Sequence, residues 1–221
     1  MPAPPLIPPP LRRPAMFVAL ACWVLAALVG AWYAGDHQPG RLDNTIADVV
    51  HRVVGEQGMF ARFLTGPTHP IVVYPVIALV IGIAVFQRWW ERAVLAVAAP
   101  GACVVLTELL FKPLVGRTDQ GVLSYPSGHT VSAVAALTVA ALVVSVDWPA
   151  VYRVAIMILL LVVSFVLAVG LVGMDYHYAT DTVGGFLVAL GVTLPLTVAT
   201  DRFSERRQAA PEPADVHSTA W

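Results

Sequence analysis

The chain has 221 residues, of which 58% are apolar and only 12% are charged, and its formal net charge is −1. Soluble domains carry about 25% charged residues, so this composition, with a mean hydropathy of +0.75, excludes an ordinary soluble domain and is typical of an integral membrane protein. The near-neutral charge and the lack of a basic arm also argue against a nucleic-acid partner.

The first fourteen residues are rich in proline and end in the pair Arg12 and Arg13, with Pro14 after them. We predict that residues 1–14 form a disordered cytoplasmic tail. The apolar run that follows is long for the core of a cleaved signal peptide, so we interpret it as the first membrane-spanning helix.

Six apolar segments are long enough to cross a bilayer, which takes about 17 to 25 residues. We predict spans at residues 15–32, 70–86, 93–111, 130–146, 154–172 and 182–198. They form one six-helix membrane domain, residues 15–200, and the charged residues 201–221 form a second disordered cytoplasmic tail. The predicted fold class is all-α, with six transmembrane helices.

One further amphipathic helix is predicted between the first two spans. Apolar residues recur at helical spacing from Ile46 to Val54, while Asp48, His51 and Arg52 lie off that stripe. We expect this helix to lie at the membrane interface, and a lid or lipid gate is the alternative. We also assign His51 and His69 to the interface.

The distribution of basic residues predicts the orientation. With both termini inside, eight of the 13 Lys and Arg residues lie on the cytoplasmic side, as the positive-inside rule requires. We expect the membrane to be a bacterial plasma membrane. Six spans then place the loop after span three, the start of span four and the loop after span five together on the extracytoplasmic face.

The most informative polar stretch runs from Ser124 to Thr130 and leads into span four. A helix that begins here presents free backbone N–H groups and the positive end of its dipole. Ser127 adds a hydroxyl, Gly128 permits a close approach, and His129 can carry a proton near neutral pH. The stretch therefore predicts an anion pocket, and phosphate fits because its oxygens need several donors at once.

Two other polar groups lie on the same predicted face. Lys112 and Arg117 follow span three, and Glu108 can pair with Lys112 across one helical turn. His177 is followed four residues later by Asp181, whose carboxylate can hold one imidazole nitrogen and so orient the other. A lone pair at this spacing is more often a packing or capping pair than a catalytic one. With a second histidine, His129, at a helix start on the same face, the pattern favours a nucleophile and the group that orients it.

Metal chemistry is not predicted. No set of Cys, His and carboxylate residues has the spacing of a zinc or two-metal site. Cys22 and Cys103 lie inside apolar runs and are expected to be packing residues. We therefore expect neither a metal nor a cofactor.

The three polar groups together resemble the signature of the type-2 phosphatidic acid phosphatase and vanadium haloperoxidase superfamily, in its six-span lipid phosphatase branch. The residues that carry the resemblance are Lys112, Arg117, Pro126-Ser127-Gly128-His129, His177 and Asp181. The resemblance implies metal-independent hydrolysis of a lipid phosphate or polyprenyl (di)phosphate in the outer leaflet, so the implied partners are the lipid substrate and the bilayer.

The resemblance also implies a role for each residue. His177 would attack phosphorus and form a phosphohistidine, Asp181 would orient it, and His129 would protonate the leaving alkoxide. The phosphoryl oxygens would be held by Lys112, Arg117, Ser127 and Gly128.

The chain departs from the family pattern at two places. Asp119-Gln120 stands where the family has Arg-Pro, and Leu171 stands where it has a further Arg. Two alternatives to hydrolysis therefore stay open. One is a headgroup transferase that passes the phospho-headgroup to an alcohol, whose third motif resembles His177-Tyr178. The other is a lipid-binding or transport protein that has lost catalysis.

Overall fold

The computed structural model describes residues 4–209. This part of the chain is mostly helical, with one short antiparallel strand pair, β1 Thr118–Asp119 and β2 Val122–Leu123. The helices are α1 Pro9–Trp32, α2 Arg41–Val54, α3 Met59–Thr65, α4 Pro70–Phe86, α5 Trp90–Leu106, α6 Lys112–Val115, α7 Gly128–Val144, α8 Ala150–Gly173 and α9 Ala179–Ala209. A single 3-10 turn, Gly66–Thr68, joins α3 to α4, and a π-helical turn, Thr107–Phe111, joins α5 to α6.

The helices confirm the predicted membrane architecture in its coarse form, with five to six candidate spans. Among residues 4–209, five stretches of helix are long and apolar enough to cross a bilayer, and α7 is a shorter apolar helix of 17 residues. The five are Pro9–Trp32, Met59–Phe86, Trp90–Val115, Ala150–Gly173 and Ala179–Ala209. Helix α4 has the predicted bounds, and the other helices differ from the predicted spans mainly at their ends.

Helix α9 forms the centre of the bundle and packs against α1, α5, α7 and α8. Its buried face carries small residues, among them Gly184, Gly185 and Gly191. The close approach that glycine permits is used at Gly191, whose carbonyl oxygen accepts a hydrogen bond of 2.8 Å from the Trp23 indole of α1. A small residue on α9 therefore lets a side chain of α1 reach the backbone of the central helix.

The amphipathic helix predicted between the first two spans is α2. Its Val50 and Val54 are buried against α8 and the start of α9, whereas Val49 and Val53 face outward. The helix prediction is confirmed. Asp43, in the first turn, lies on the buried side of the helix and is only 2% exposed.

The amino-terminal segment corrects one prediction. Residues 4–14, which we expected to be disordered, are ordered against the end of the bundle opposite the polar motifs. Leu6 is fully buried beside Leu95 and Val139, and the backbone N–H groups of Leu6 and Ile7 each donate to an Asp201 carboxylate oxygen at 2.8 Å. This pairing satisfies a buried carboxylate, which explains why the segment is held.

The predicted carboxy-terminal tail is corrected in part. Helix α9 continues through residue 201 to Ala209, and Asp201 is buried against the amino-terminal segment. Arg12 and Glu205 form an ion pair beside it, which ties the two ends of the chain together. The remainder of both predicted tails, residues 1–3 and 210–221, lies outside the described residues.

Candidate active site

Lys112 is placed by the π-helical turn at the end of α5. Its ammonium nitrogen lies 2.7 Å from Glu108 Oε1, so the predicted pair is confirmed. The Lys112 side chain is 14% exposed, and both residues line a cavity in the helix bundle. A π turn inserts one residue into the helical repeat and is frequent at functional sites. Here it precedes the only lysine of the chain.

The stretch Ser124 to Thr130 leads into α7, which begins at Gly128, so a helix starts within it as predicted. Ser127 is the N-cap residue, and its hydroxyl accepts from the Thr130 backbone N–H at 3.3 Å. A Cβ atom at Gly128 would lie 3.2 Å from Glu108 Oε1, so glycine leaves room for that carboxylate. The predicted phosphate contacts of Ser127 and Gly128 stay predictions.

Tyr125 fixes this stretch against α1 and α9. It is fully buried, and its hydroxyl donates to the Ala26 carbonyl oxygen at 2.6 Å. A Cβ atom at Gly184 would overlap the Tyr125 ring, and one at Gly185 would lie 2.7 Å from the Ser127 carbonyl oxygen. The two glycines of α9 thus leave the space that Tyr125 and the start of α7 occupy.

The two predicted catalytic histidines meet. His129 Nδ1, at the start of α7, and His177 Nε2, in the loop between α8 and α9, are 3.3 Å apart. The His129 ring also stacks on Tyr176, with 6.5 Å between ring centres. These two residues, 48 positions apart in the chain, are therefore in direct contact. The polar stretch before α7 and the polar stretch before α9 come together, as predicted.

His177 lies near Asp181 but is not hydrogen-bonded to it. His177 Nδ1 and Asp181 Oδ2 are 4.0 Å apart, and both atoms are buried with no hydrogen-bond partner among the described residues. Burial lowers the pKa of His177 to about 3, and the neighbouring His129 and Lys112 act in the same direction. The imidazole is therefore neutral at pH 7, which is the form that can act as a nucleophile.

Arg117 occupies a different place from the one predicted. It is fully buried, and its guanidinium lies between the rings of Tyr33 and Tyr178, 4.3 and 4.4 Å from their centres. Both terminal nitrogens are bonded to carboxylates, Nη2 to Asp43 and Nη1 to Asp181, each at 2.6 Å. The structure therefore brings Arg117 to the carboxylate beside His177.

The cavity around the histidines opens along an apolar groove between α4 and α5, with a volume of about 1030 Å³. Val73 and Ile77 of α4 and Val97 and Val104 of α5 line the groove. Its polar end is lined by Glu108, Lys112, Gly128, His129, His177 and His69. An apolar groove that ends in one lysine and three imidazoles has the form of a site for an amphipathic anion.

His69 and Asp43 are the polar residues whose placement our sequence analysis missed. His69 lines the same cavity as His129 instead of standing apart at the interface. Asp43 precedes Val50 by about two helical turns and Val54 by about three, so it lies on the same face of α2. Helical spacing could therefore have predicted that Asp43 is buried. His69 offered no such signal, because its position depends on the 3-10 turn before α4.

The positions at which the family pattern has arginines carry no positive charge. Leu171 is fully buried in α8. Asp119 lies with His177, Asp175 and Tyr178 around a second cavity of about 330 Å³. Burial raises the pKa of Asp119, and it also raises that of Tyr178 to about 12.

Comparison with known proteins shows what this chain is similar to. The family model described as PAP2 superfamily matches residues 107–205, which include Lys112, both histidines and Asp181. The resemblance to the PAP2 superfamily is confirmed. Of the curated proteins, none matches the chain.

A solved structure has a fold similar to that of this chain. It is described as the first transmembrane PAP2-type phosphatidylglycerolphosphate phosphatase, from Bacillus subtilis. The similarity covers 86% of this chain and 97% of that one, with a TM-score of 0.67 and a sequence identity of 20%. The likeness therefore extends well beyond the PAP2 match, to the helices that precede residue 107.

Proposed function

We propose that this PAP2 protein hydrolyses the phosphate ester of a membrane lipid through a phosphohistidine at His177. The observation that carries the proposal is the 3.3 Å contact between His129 and His177. The contact lies at the polar end of the groove, together with Lys112, and apolar side chains of α4 and α5 line the rest of the groove. A lipid phosphate would place its head at the imidazoles and its chain in the groove.

In the first step, the lone pair of His177 Nε2 attacks phosphorus and the bond from phosphorus to the ester oxygen breaks. The leaving oxygen takes the electron pair of that bond and receives a proton from His129. A hydrogen bond between His129 and this oxygen spans about 2.9 Å. The phosphoryl group has to fit between the two imidazoles as well, so their 3.3 Å contact must open when the lipid binds. Lys112, Ser127 and the N–H groups at the start of α7 would neutralise the equatorial oxygens.

In the second step, a water molecule gives a proton to His129 and its oxygen attacks phosphorus. The bond from phosphorus to Nε2 breaks, which releases inorganic phosphate and restores neutral His177. Asp181 supports both steps because its carboxylate stabilises the proton on Nδ1. We place the site on the extracytoplasmic side of a six-span protein with both termini inside.

A second candidate, transfer of the phospho-headgroup to an alcohol, is favoured by the cavity on the Asp119 side of His177. That cavity is lined by polar residues, among them Asn44, Gln120 and Tyr178, which could bind the hydroxyl groups of an acceptor. The covalent step would be the same, with an alcohol in place of water.

Phosphate release by purified protein in detergent tests the proposal. The panel should contain phosphatidate, phosphatidylglycerolphosphate, a sphingoid base phosphate and undecaprenyl diphosphate, with and without an alcohol acceptor. His177→Ala should abolish release of phosphate from every lipid that the wild type hydrolyses. Equal release by wild type and His177→Ala would refute the histidine mechanism.

The same assay tests the expectation that no metal takes part. EDTA should leave the rate unchanged, and vanadate should inhibit because it adopts the five-coordinate geometry of the transition state. Loss of activity in EDTA with recovery on adding a divalent ion would contradict the proposal.

A further inference from the structure

A buried charge cluster lies next to the cavity of the histidines. Arg117, Asp43 and Asp181 have side chains that are 0%, 1% and 0% exposed, and the arginine joins the two carboxylates. The cluster links α2, the loop after α6 and the start of α9. Charges buried this deeply are retained only where every partner is satisfied, or where they serve the site beside them.

The bonding of each carboxylate is specific. Asp43 accepts from Arg117 Nη2 at 2.6 Å and from the Thr180 backbone N–H at 2.9 Å. Asp181 uses Oδ1 for Arg117 Nη1, also at 2.6 Å, while its Oδ2 has no partner among residues 4–209 and faces His177 Nδ1 at 4.0 Å. Arg117 therefore holds one oxygen of Asp181 and leaves the other directed at the imidazole.

We propose that Asp43 and Arg117 are positioning residues, which hold Asp181 in the orientation that fixes the tautomer of His177. This inference rests on the proposed function. Arg117 acts on the nucleophile through Asp181 and does not contact the phosphate. Its guanidinium is kept from turning towards the cavity by the rings of Tyr33 and Tyr178 and by two charged hydrogen bonds.

The first arm of the test separates positioning from phosphate binding. Arg117→Met should lower kcat about a hundredfold, while KM for the lipid and the inhibition constant of inorganic phosphate change less than threefold. Lys112→Met, at a residue that lines the cavity, should raise that inhibition constant at least tenfold. A parallel rise in Arg117→Met would show that Arg117 binds phosphate and would overturn the proposal.

The second arm asks whether Asp43 acts through Asp181. Asp43→Asn should lower kcat about tenfold, but it should have no further effect in an Asp181→Asn background, because the two changes affect one carboxylate. Asp48→Asn, an exposed acid on the same helix, is the matched control and should leave kcat unchanged. If the effects of Asp43→Asn and Asp181→Asn on kcat multiply in the double variant, the role of Asp43 is refuted. Equal kcat values for Asp43→Asn and Asp48→Asn would refute it as well.

The third arm needs no turnover. In protein labelled with ¹⁵N-histidine, the His177 signals, assigned with His177→Gln, should report the Nδ1–H tautomer. Arg117→Met and the double variant Asp43→Leu/Arg117→Met should shift them to a mixture of tautomers. The double variant removes opposite buried charges together, so it protects the test against simple misfolding.

The two proposals can fail separately. An unchanged tautomer in both variants, with normal lipid hydrolysis by the wild type, would overturn the positioning role and leave the phosphatase function standing. A shifted tautomer in a protein that hydrolyses no lipid phosphate would do the reverse.

Discussion

At the scale of single residues, the site is defined by how much water is excluded from each imidazole. His177 is held between His129, Lys112 and the Asp181 carboxylate, and its side chain is 10% exposed. Burial favours the neutral form of a histidine, while a nearby cation adds to the same effect. The neutral form of His177 at physiological pH, which the proposed mechanism needs, thus follows from the burial of this side chain.

The lowered pKa of His177, to about 3, gives a direct prediction. The pKa in the folded state lies below the ordinary value, so the unfolded chain gains a proton as pH falls through about 6.5, while folded His177 stays neutral until about pH 3. In an NMR titration between pH 8 and pH 5, the His177 signals should not move. His177→Gln identifies the signals, and a midpoint near 6.5 would contradict the burial argument.

Asp119 offers a second prediction at this scale, because it shares a cavity with His177 at a position where the family pattern has arginine. Asp119→Arg should lower KM for a lipid monophosphate about tenfold or more, since a charged hydrogen bond contributes about 1.5–3 kcal/mol. Steady-state kinetics on phosphatidate would measure it.

The control for this prediction is Asp119→Asn, which removes the negative charge without adding a donor. It should lower KM less than Asp119→Arg does. Equal effects of the two substitutions would mean that repulsion by Asp119, and not the missing donor, weakens phosphate binding. The matching change at Leu171 is a poorer test, because that side chain is fully buried and a guanidinium there would lose its hydration.

At the scale of helices, the active site depends on how closely α7 approaches α9. Tyr125 and Ser127 precede or cap α7, and Gly184 and Gly185 of α9 leave the space that they occupy. The Ser127 backbone N–H also donates to the Asp181 carbonyl oxygen at 2.9 Å, which ties the second motif directly to the third. Small residues on the central helix thus set the separation of the two histidines.

Gly184→Ala tests this arrangement. The added methyl group would overlap the Tyr125 ring, and overpacking of this kind typically costs about 1–3 kcal/mol. We expect a lower thermal unfolding midpoint in detergent and reduced phosphate release, because α7 must move away from α9. Gly82→Ala on α4 is the matched control, since nothing lies within 4 Å of its added Cβ atom. That change should be neutral or slightly stabilising, and equal losses in both variants would argue against the packing role.

At the scale of the whole molecule, the helices and the convergence of the motifs could be predicted because each leaves a local signal. Apolar length gave the spans, and the short polar motifs at helix ends gave His129, His177 and Asp181. The order of residues 4–14 could not be predicted, because it depends on Asp201 at the far end of the chain. The place of Arg117 was equally out of reach, since its partners come from α2 and α9, which spacing cannot bring together.

The orientation of this bundle gives the last prediction. The histidine cavity lies at one end of the bundle, and the contacts of Leu6, Asp201 and Arg12 lie at the other. The charge bias predicts that the second end lies in the cytoplasm.

Gln120 in the β1–β2 turn and Gln87 after α4 are both exposed. The proposed six-span topology would place them on opposite sides of the membrane. In intact cells, Gln120→Cys should react with an impermeant thiol reagent and Gln87→Cys should react only after the membrane is permeabilised. The native Cys22 and Cys103 are buried, so the wild type supplies a low background. Labelling of Gln87→Cys alone would mean that the orientation is inverted and that the proposed hydrolysis takes place at the cytoplasmic leaflet. Labelling of both variants in intact cells would mean that the two positions lie on the same side of the membrane, which contradicts an odd number of spans between them.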